Sequence, residues 1–338
     1  MAFETAVEPS LADKVSFLGR PQTYGLGEAV RLRETHMSWL FFPDDAVYKL
    51  KKPVRLPYLD FSTLARREAA CRAEATLNLC LARPIYLGVT PLALGPEGLA
   101  LGGQGRVVDW LVVMRRFDES RTLESLLRAR KVDAADIARL TNVLTRFYRR
   151  TRTLHPAPAS RLRDWRDLLK ANLDVLLDPA LGLRSSAVRY VASVQRRFLR
   201  RRANLLRHRR IVDGHGDLRP EHIWLGEPLC IIDRLEFNPT FRAVDPFDEI
   251  AFLDLECERL GAPQVGQRIR RRMIAALHDG PPEALYLFYR CTRAMLRARL
   301  AIAHLMEPVP RTPAKWPPLA RAYLALAVRD ARRLERLI

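Results

Sequence analysis

The chain has 338 residues and a formal charge of +19, from 57 lysines and arginines against 38 aspartates and glutamates. Hydrophobic residues make up 48% of it, enough for a sizeable core; no apolar run approaches the ~18 residues of a membrane span, and the start lacks a basic stretch followed by an apolar one, so neither a membrane protein nor a secreted one is expected. Five cysteines, Cys71, Cys80, Cys230, Cys257 and Cys291, form no Cys-x-x-Cys pair, which argues against a disulfide framework or a zinc knuckle and points to the cytoplasm.

The first third reads as strand-rich. Residues 29–34, 39–42 and 46–50 are short β-like runs, the last two joined by the turn Pro43-Asp44-Asp45. Residues 62–82 have helical spacing through Leu64, Ala69, Ala73 and Leu77, and Pro84 stops them. Strand patterning resumes at 89–94, 99–101 and 106–114, separated by glycine-rich turns. Gly25-Leu26-Gly27 precedes these strands and reads as a plain loop.

After Met114 the character changes. A polar connector at 115–120 leads to helical stretches at 123–130, 134–153, 165–177 and 187–207. The arginine surplus is densest at 196–210, with eight arginines. Phe198, Leu199, Leu205 and Leu206 make that stretch an amphipathic helix with basic outer faces. Only seven residues of the chain are lysine and the arginines are spread along most of it, so general arginine usage explains the charge better than nucleic-acid binding does. A non-helical island at 211–244 interrupts the helices, which return at 246–260, 265–277, 282–305 and 317–337, with a loop at 308–318 before the last. Two parts are expected: 1–114, rich in strands, and 115–338, mainly helical.

The island carries the chemistry. It contains His215-Gly216-Asp217-Leu218-Arg219-Pro220-Glu221-His222, then strand 223–225, the turn Gly226-Glu227-Pro228, strand 229–232 and Asp233. Phosphoryl transfer asks a protein for a carboxylate to orient the acceptor hydroxyl and for metal ions to neutralise phosphate charge. A loop aspartate followed, after a short buried hairpin, by a second aspartate fits both needs.

This pattern is similar to the catalytic-loop and Asp-Phe-Gly pair of protein kinases, and closer to the aminoglycoside phosphotransferase family, whose loop reads His-Gly-Asp-Leu-His-x-x-Asn. Within that family it resembles an uncharacterised bacterial branch through Glu34-Thr35-His36-Met37-Ser38-Trp39, Val47-Tyr48-Lys49-Leu50-Lys51-Lys52-Pro53 and Leu59-Asp60-Phe61-Ser62-Thr63-Leu64. Some members of the branch carry a C-terminal P-loop kinase domain; this sequence has no Gly-x4-Gly-Lys-Ser/Thr, so that domain is not expected. The resemblance implies an α+β, two-lobed protein-kinase-like fold with a small β-rich N-lobe and a larger, mainly helical C-lobe. It also implies ATP and Mg2+ as cofactors and a small-molecule hydroxyl acceptor such as an aminoglycoside, sugar or amino alcohol.

Carried onto this chain, the resemblance makes Asp217 the catalytic carboxylate and Asp233 a metal ligand. Lys49 becomes the phosphate-binding lysine, with Lys51 as rival, and Glu74 its carboxylate partner, with Glu68 as rival. Met114 and Arg116 fall at the interlobe hinge that pairs with adenine, and His36 and Ser38 in the turn over the phosphates. One departure stands out: the family's metal-binding asparagine falls at His222. Imidazole suits softer metals than magnesium, so His222 leaves three outcomes open: a weaker or manganese-preferring site, a water in its place, or a pseudokinase that binds nucleotide without transferring phosphate. Asp233, Glu236, Asp245, Asp248, Glu249, Asp254, Glu256 and Glu258 form an acidic run that could suit a cationic or polyhydroxylated acceptor, with Asp245 and Asp248 the best structural anchors. An arginine-rich nucleic-acid binder is the third functional class.

Overall fold

A computed structural model of the chain describes residues 8–307 and 309–338. The expected absence of a leader rests in part on residues 1–7, and the expected loop at 308–318 includes residue 308; these positions lie outside the described residues. The described chain divides into two compact units, one comprising 8–121 with Trp224–Phe241, the other Thr122–Ile223 with Arg242–Ile338. The expected boundary at 114/115 lies inside the strand Arg106–Arg115, and the first unit runs on to Arg121 and takes back 224–241.

The first unit opens with helix α1 (Leu11–Leu18), which the sequence reading passes over. Ser10 and Asp13 cap it reciprocally: the Asp13 N–H donates to Ser10 Oγ, and the Ser10 N–H donates to Asp13 Oδ2. Strands β1 (Arg31–Glu34), β2 (Ser38–Phe42) and β3 (Ala46–Lys51) follow, then the two-residue ribbon of β4 (Arg55–Leu56) and β5 (Leu59–Asp60). Helix α2 (Leu64–Ala82), capped by Thr63, precedes β6 (Tyr86–Gly95), β7 (Gly98–Leu101) and β8 (Arg106–Arg115). Six strands form one sheet in the order β1-β2-β3-β8-β6-β7, every neighbouring pair antiparallel.

Alternation along β3 gives this sheet two buried faces. Val47 packs with Phe42, Cys71, Val112 and Met114 on the α2 side. Leu50 packs with Phe41, Leu92, Leu111 and Leu18 of α1 on the other. Asp109, buried on β8, ties both helices to the sheet: Lys14 Nζ of α1 donates to its Oδ2 at 2.8 Å, and Arg67 Nε of α2 to its Oδ1 at 2.7 Å. Buried charges are tolerable only when paired in this way.

The second unit begins with α3 (Leu123–Arg128) and α4 (Ala134–Arg150), then β9 (Thr153–Leu154), α5 (Pro158–Leu176), α6 (Ser185–Arg201) and α7 (Asn204–Arg207). The helix expected at 187–207 is thus two, since Arg202 leaves the helical conformation at φ −128°. Strand β10 (Ile211–Asp213) is the middle of a three-stranded sheet between β9 and Ala243–Val244. Helices α8 (Pro246–Arg259), α9 (Pro263–Leu277), α10 (Glu283–Ala303) and α11 (Trp316–Glu335) complete the unit. Helix α10 lies at its centre: its buried face runs from Ala284 to Ile302 and packs on α5, α6, α8 and α11. No helix among the described residues is long and apolar enough to cross a membrane. The α+β class, strand-rich first and helical second, is as expected.

Candidate active site

Successive side chains of a strand alternate faces, so Lys49 and Lys51 of β3 project from the same side of the sheet. There they meet one carboxylate. Lys49 Nζ donates to Glu74 Oε1 at 2.8 Å, and Lys51 Nζ to Glu74 Oε2 at 2.6 Å. Glu74 is fully buried on α2, whereas Glu68 lies on the surface beside Arg72. Each lysine then reaches a second acid: Lys49 donates to Asp233 Oδ1 at 3.1 Å, Lys51 to Glu236 Oε1 at 2.5 Å. The two differ in access, for the Lys49 side chain is 16% exposed and that of Lys51 1%. Lys51 also lies over the Phe61 ring.

The charges shape one another. Burial opposes the charged form of Lys49, but Asp233, Glu74 and Glu236 together hold its pKa well above the ordinary lysine value. Burial would raise Glu74, yet two ammonium groups keep its pKa below the usual glutamate value. For Glu236 burial prevails: with Glu74 it outweighs the pull of Lys51 and Lys49, and the pKa is raised.

Asp233 sits in the left-handed region, at φ 63°, which side chains adopt at a cost and which clusters at functional positions. Two buried groups hold it there: its own N–H donates to Tyr86 Oη at 3.1 Å, and the Arg234 N–H donates to Asn78 Oδ1 at 3.0 Å. The Asp233 carboxylate is 42% exposed. Tyr86 and Asn78 were not singled out from the sequence, and Glu236 was named only within the acidic run; their signal is burial of polar groups, which appears only once α2 and β6 are packed.

The other first-unit candidates are distributed around this cluster. In the β1–β2 turn the Thr35 hydroxyl accepts the Ser38 N–H at 2.9 Å; Ser38 is buried and paired in register with Lys51, while His36 is exposed. Met114, on β8, belongs to the apolar core beside Val47. The Arg116 N–H donates to the Asp45 carbonyl at 2.6 Å, closing the connector onto the β2–β3 turn.

In the second unit, the loop after β10 is organised by Glu249, a buried residue in the first turn of α8. Its Oε2 accepts the His215 N–H at 3.1 Å and the Tyr148 hydroxyl at 2.8 Å, and its Oε1 accepts the Gly216 N–H. Burial nonetheless raises its pKa, outweighing those donors. Gly216 takes φ 91° and makes the turn that presents Asp217. The Asp217 N–H donates to Nδ1 of the buried His215 at 3.2 Å, and Arg219 Nη1 lies 3.2 Å from Asp217 Oδ2. His222 Nδ1 is 2.9 Å from the Asp217 carbonyl oxygen. A carbonyl can only accept, so Nδ1 carries the proton, and in the neutral ring Nε2 keeps the lone pair a metal would need.

The acidic run along α8 is not an acceptor-facing surface. Arg293 clamps Asp248 with two bonds of 2.9 and 2.7 Å, Asp254 accepts from Arg290 Nη1 at 2.6 Å and Tyr286 Oη at 3.0 Å, and Glu256 accepts from Tyr323 Oη at 2.6 Å and Arg259 Nε at 2.7 Å. Asp245 caps α8 through the Phe247 N–H and takes Arg209 and Tyr289. The reading that these carboxylates meet a cationic acceptor fails because helix packing buries them, and each needs its own donor.

No protein-family model matches the chain. An uncharacterised protein of Mycobacterium tuberculosis is 30% identical over 296 residues, covering 84% of this chain and 57% of its own length, so the chain spans little more than half of that relative. Among solved structures, a choline/ethanolamine kinase family protein from Mesorhizobium loti aligns over 96% of this chain and 98% of its own, with a TM-score of 0.51 and 16% identity. A thermostable aminoglycoside phosphotransferase mutant, solved with AMP-PNP and hygromycin B, aligns over 96% and 98%, with a TM-score of 0.51 and 13% identity. At such identities the likeness defines the fold: the chain has the protein-kinase-like fold that these two structures share.

Proposed function

We propose that the protein is an ATP-dependent phosphotransferase that moves the γ-phosphate to a hydroxyl of a small molecule. The observation that carries this reading is the ion-paired chain Asp233–Lys49–Glu74, in which the ammonium of a partly exposed lysine side chain is held between an interior glutamate and an exposed aspartate of left-handed backbone. Such an ammonium serves phosphate binding, because the interior carboxylate fixes it while its outer side stays accessible.

Asp217 is the catalytic carboxylate in this reading. It accepts the hydroxyl's hydrogen bond, directs the oxygen at the γ-phosphorus and takes the proton as the new bond forms. Glu249 holds the loop from behind through backbone donors, and Arg219 restrains the Asp217 carboxylate. In the first unit Asp233 offers a carboxylate oxygen, and in the second His222 offers an Nε2 lone pair; an imidazole donor suits magnesium less well than manganese. A bound divalent ion would supply charge neutralisation for the phosphates. The backbone of the 114–117 connector is the candidate adenine edge; the Arg116 N–H already serves Asp45, which leaves the remaining amide and carbonyl groups.

Arg67, Arg209, Arg290 and Arg293 pair with buried carboxylates, so these four arginines serve packing and not a nucleic-acid surface. The deciding experiment is ADP release over a panel of hydroxyl compounds with the wild type and Asp217→Asn. Transfer should fall by about 10²–10⁴-fold in the variant while AMP-PNP binding persists. Wild-type turnover in Asp217→Asn would remove Asp217 from the mechanism; AMP-PNP binding with no acceptor turned over would favour the pseudokinase.

A further inference from the structure

We propose that Arg297 anchors an anionic group of the acceptor, so that the compound phosphorylated at its hydroxyl also carries a carboxylate or a phosphate. The inference rests on the phosphotransferase reading above and narrows its acceptor.

The starting point is where the carboxylates of the second unit go. Asp248, Asp254 and Glu256 of α8 are buried and matched by arginine or tyrosine, so a cationic acceptor would find no ready counter-charge among these three. The cations are less evenly spent. Arg290, Arg293 and Arg297 lie one turn apart on successive turns of α10, where residues three and four apart share a face. Arg290 is saturated by Asp254, Asp330 and Glu258. Arg293 is spent on Asp248. Arg297 is different. Its Nε is 3.5 Å from Tyr323 Oη and 3.7 Å from Glu256 Oε1, but Glu256 already has Tyr323 and Arg259. The two terminal nitrogens of Arg297 have no hydrogen-bond partner among the described residues, and its side chain remains 16% exposed.

Contacts within the unit bring the arginine face of α10, one turn from Arg297, against the loop that carries Asp217: Asp248, held by Arg293, is the neighbour of Glu249, and Glu249 binds the Gly216 N–H next to Asp217. Asp217 itself is 25% exposed, so both groups are open to a bound compound. Glu221, the other partly exposed acid here, is paired with Arg219. A planar guanidinium with its fork uncommitted matches the two oxygens of a carboxylate or phosphate. The choline/ethanolamine kinase-like and aminoglycoside phosphotransferase folds are thus used here, on this reading, for an acceptor of opposite charge.

The step balances without a further reactant. The bond from the γ-phosphorus to the β–γ bridging oxygen breaks and its electron pair leaves with ADP. A new P–O bond forms to the acceptor oxygen, and the hydroxyl proton passes to the Asp217 carboxylate and on to water.

The test is ADP release from ATP with four acceptor sets: glycerate and gluconate, glycerol 3-phosphate and glucose 6-phosphate, glycerol and glucose, and choline, ethanolamine and kanamycin. Turnover confined to the first or second set supports the inference and tells carboxylate from phosphate. Arg297→Ala and Arg297→Met should then raise the KM for that acceptor about 10- to 100-fold, the size expected for a lost hydrogen bond to a charged group, with a smaller change in kcat. Arg297→Met keeps the stem over Tyr323, and an unchanged unfolding midpoint excludes a folding defect. Asp217-dependent turnover of choline, ethanolamine, kanamycin or an uncharged polyol, insensitive to Arg297→Ala, would overturn the inference and leave the phosphotransferase intact. Should no compound be phosphorylated, gluconate and glycerol 3-phosphate binding is measured by calorimetry: binding lost in Arg297→Ala supports the anion site, and equal or absent binding overturns it. A failure to bind AMP-PNP would instead overturn the phosphotransferase reading itself.

Discussion

The two halves of the candidate chemistry are held in opposite ways. In the first unit, Lys49, Lys51, Glu74, Asp233 and Glu236 fix one another by side-chain ion pairs, with Glu74 fully buried between two ammonium groups. In the second, a single carboxylate, Glu249, fixes the loop by gathering backbone N–H groups, and Asp217 rides on that loop. The difference teaches what each half is for. Ion pairs hold a charge that must stay put and stay charged. Backbone donors hold a shape, and leave the side chain they present to change its protonation during a reaction.

The comparison breaks most visibly at Glu249. Glu249→Ala strips the partner from the His215 and Gly216 amides and the Tyr148 hydroxyl, all in a buried setting, where each orphaned group costs about 1–3 kcal/mol. A loss of about 3–5 kcal/mol in urea unfolding is expected, together with loss of transfer. A stable variant with wild-type turnover would mean that the loop is held by something other than Glu249.

The first unit should respond next, and with pH. Glu74→Gln leaves two ammonium groups facing a neutral amide, a change of about 3–5 kcal/mol for a buried pair with one partner removed. Because the pKa of Glu74 is lowered in the folded protein, its contribution is present above the unfolded value of about 4.3 and is lost as pH falls through the folded value. The stability gap between wild type and Glu74→Gln should therefore be full at pH 7 and close in acid. A gap that stays constant down to acid unfolding would count against the ion-pair account of this half.

The smallest effect is expected at His222, whose Nδ1 meets the Asp217 carbonyl and which stands where the aminoglycoside phosphotransferase loop has asparagine. An imidazole nitrogen suits softer metals, so manganese should serve at least as well as magnesium. His222→Asn should tighten magnesium several-fold. Identical magnesium and manganese titrations for both proteins would remove His222 from the set of ligands.

Much of this was legible without coordinates. The order of strands and helices, the loop 215–222, the spacing to Asp233 and the lysines of β3 are local patterns, carried by turn residues, by alternation of period two and by chain spacing, which act over a few residues. The sequence also left pairs open, Lys49 with Lys51 and Glu74 with Glu68. Strand alternation puts both lysines on one face, and neither propensity nor spacing says which is deeper; the packing of α2 against β3 and β8 does, by burying Glu74 and leaving Glu68 outside.

What only the tertiary structure decided is the fate of charge. In the sequence, the acids of α8 and the arginines of α10 are indistinguishable from solvated helix faces. Folding brings helices distant along the chain into one interior, where desolvation forces every carboxylate to find a donor. That requirement consumes Asp248, Asp254 and Glu256, fills Arg290 and Arg293, and leaves Arg297 with its fork uncommitted. No local rule could have shown it, because the partners lie dozens of residues apart and are matched by burial alone.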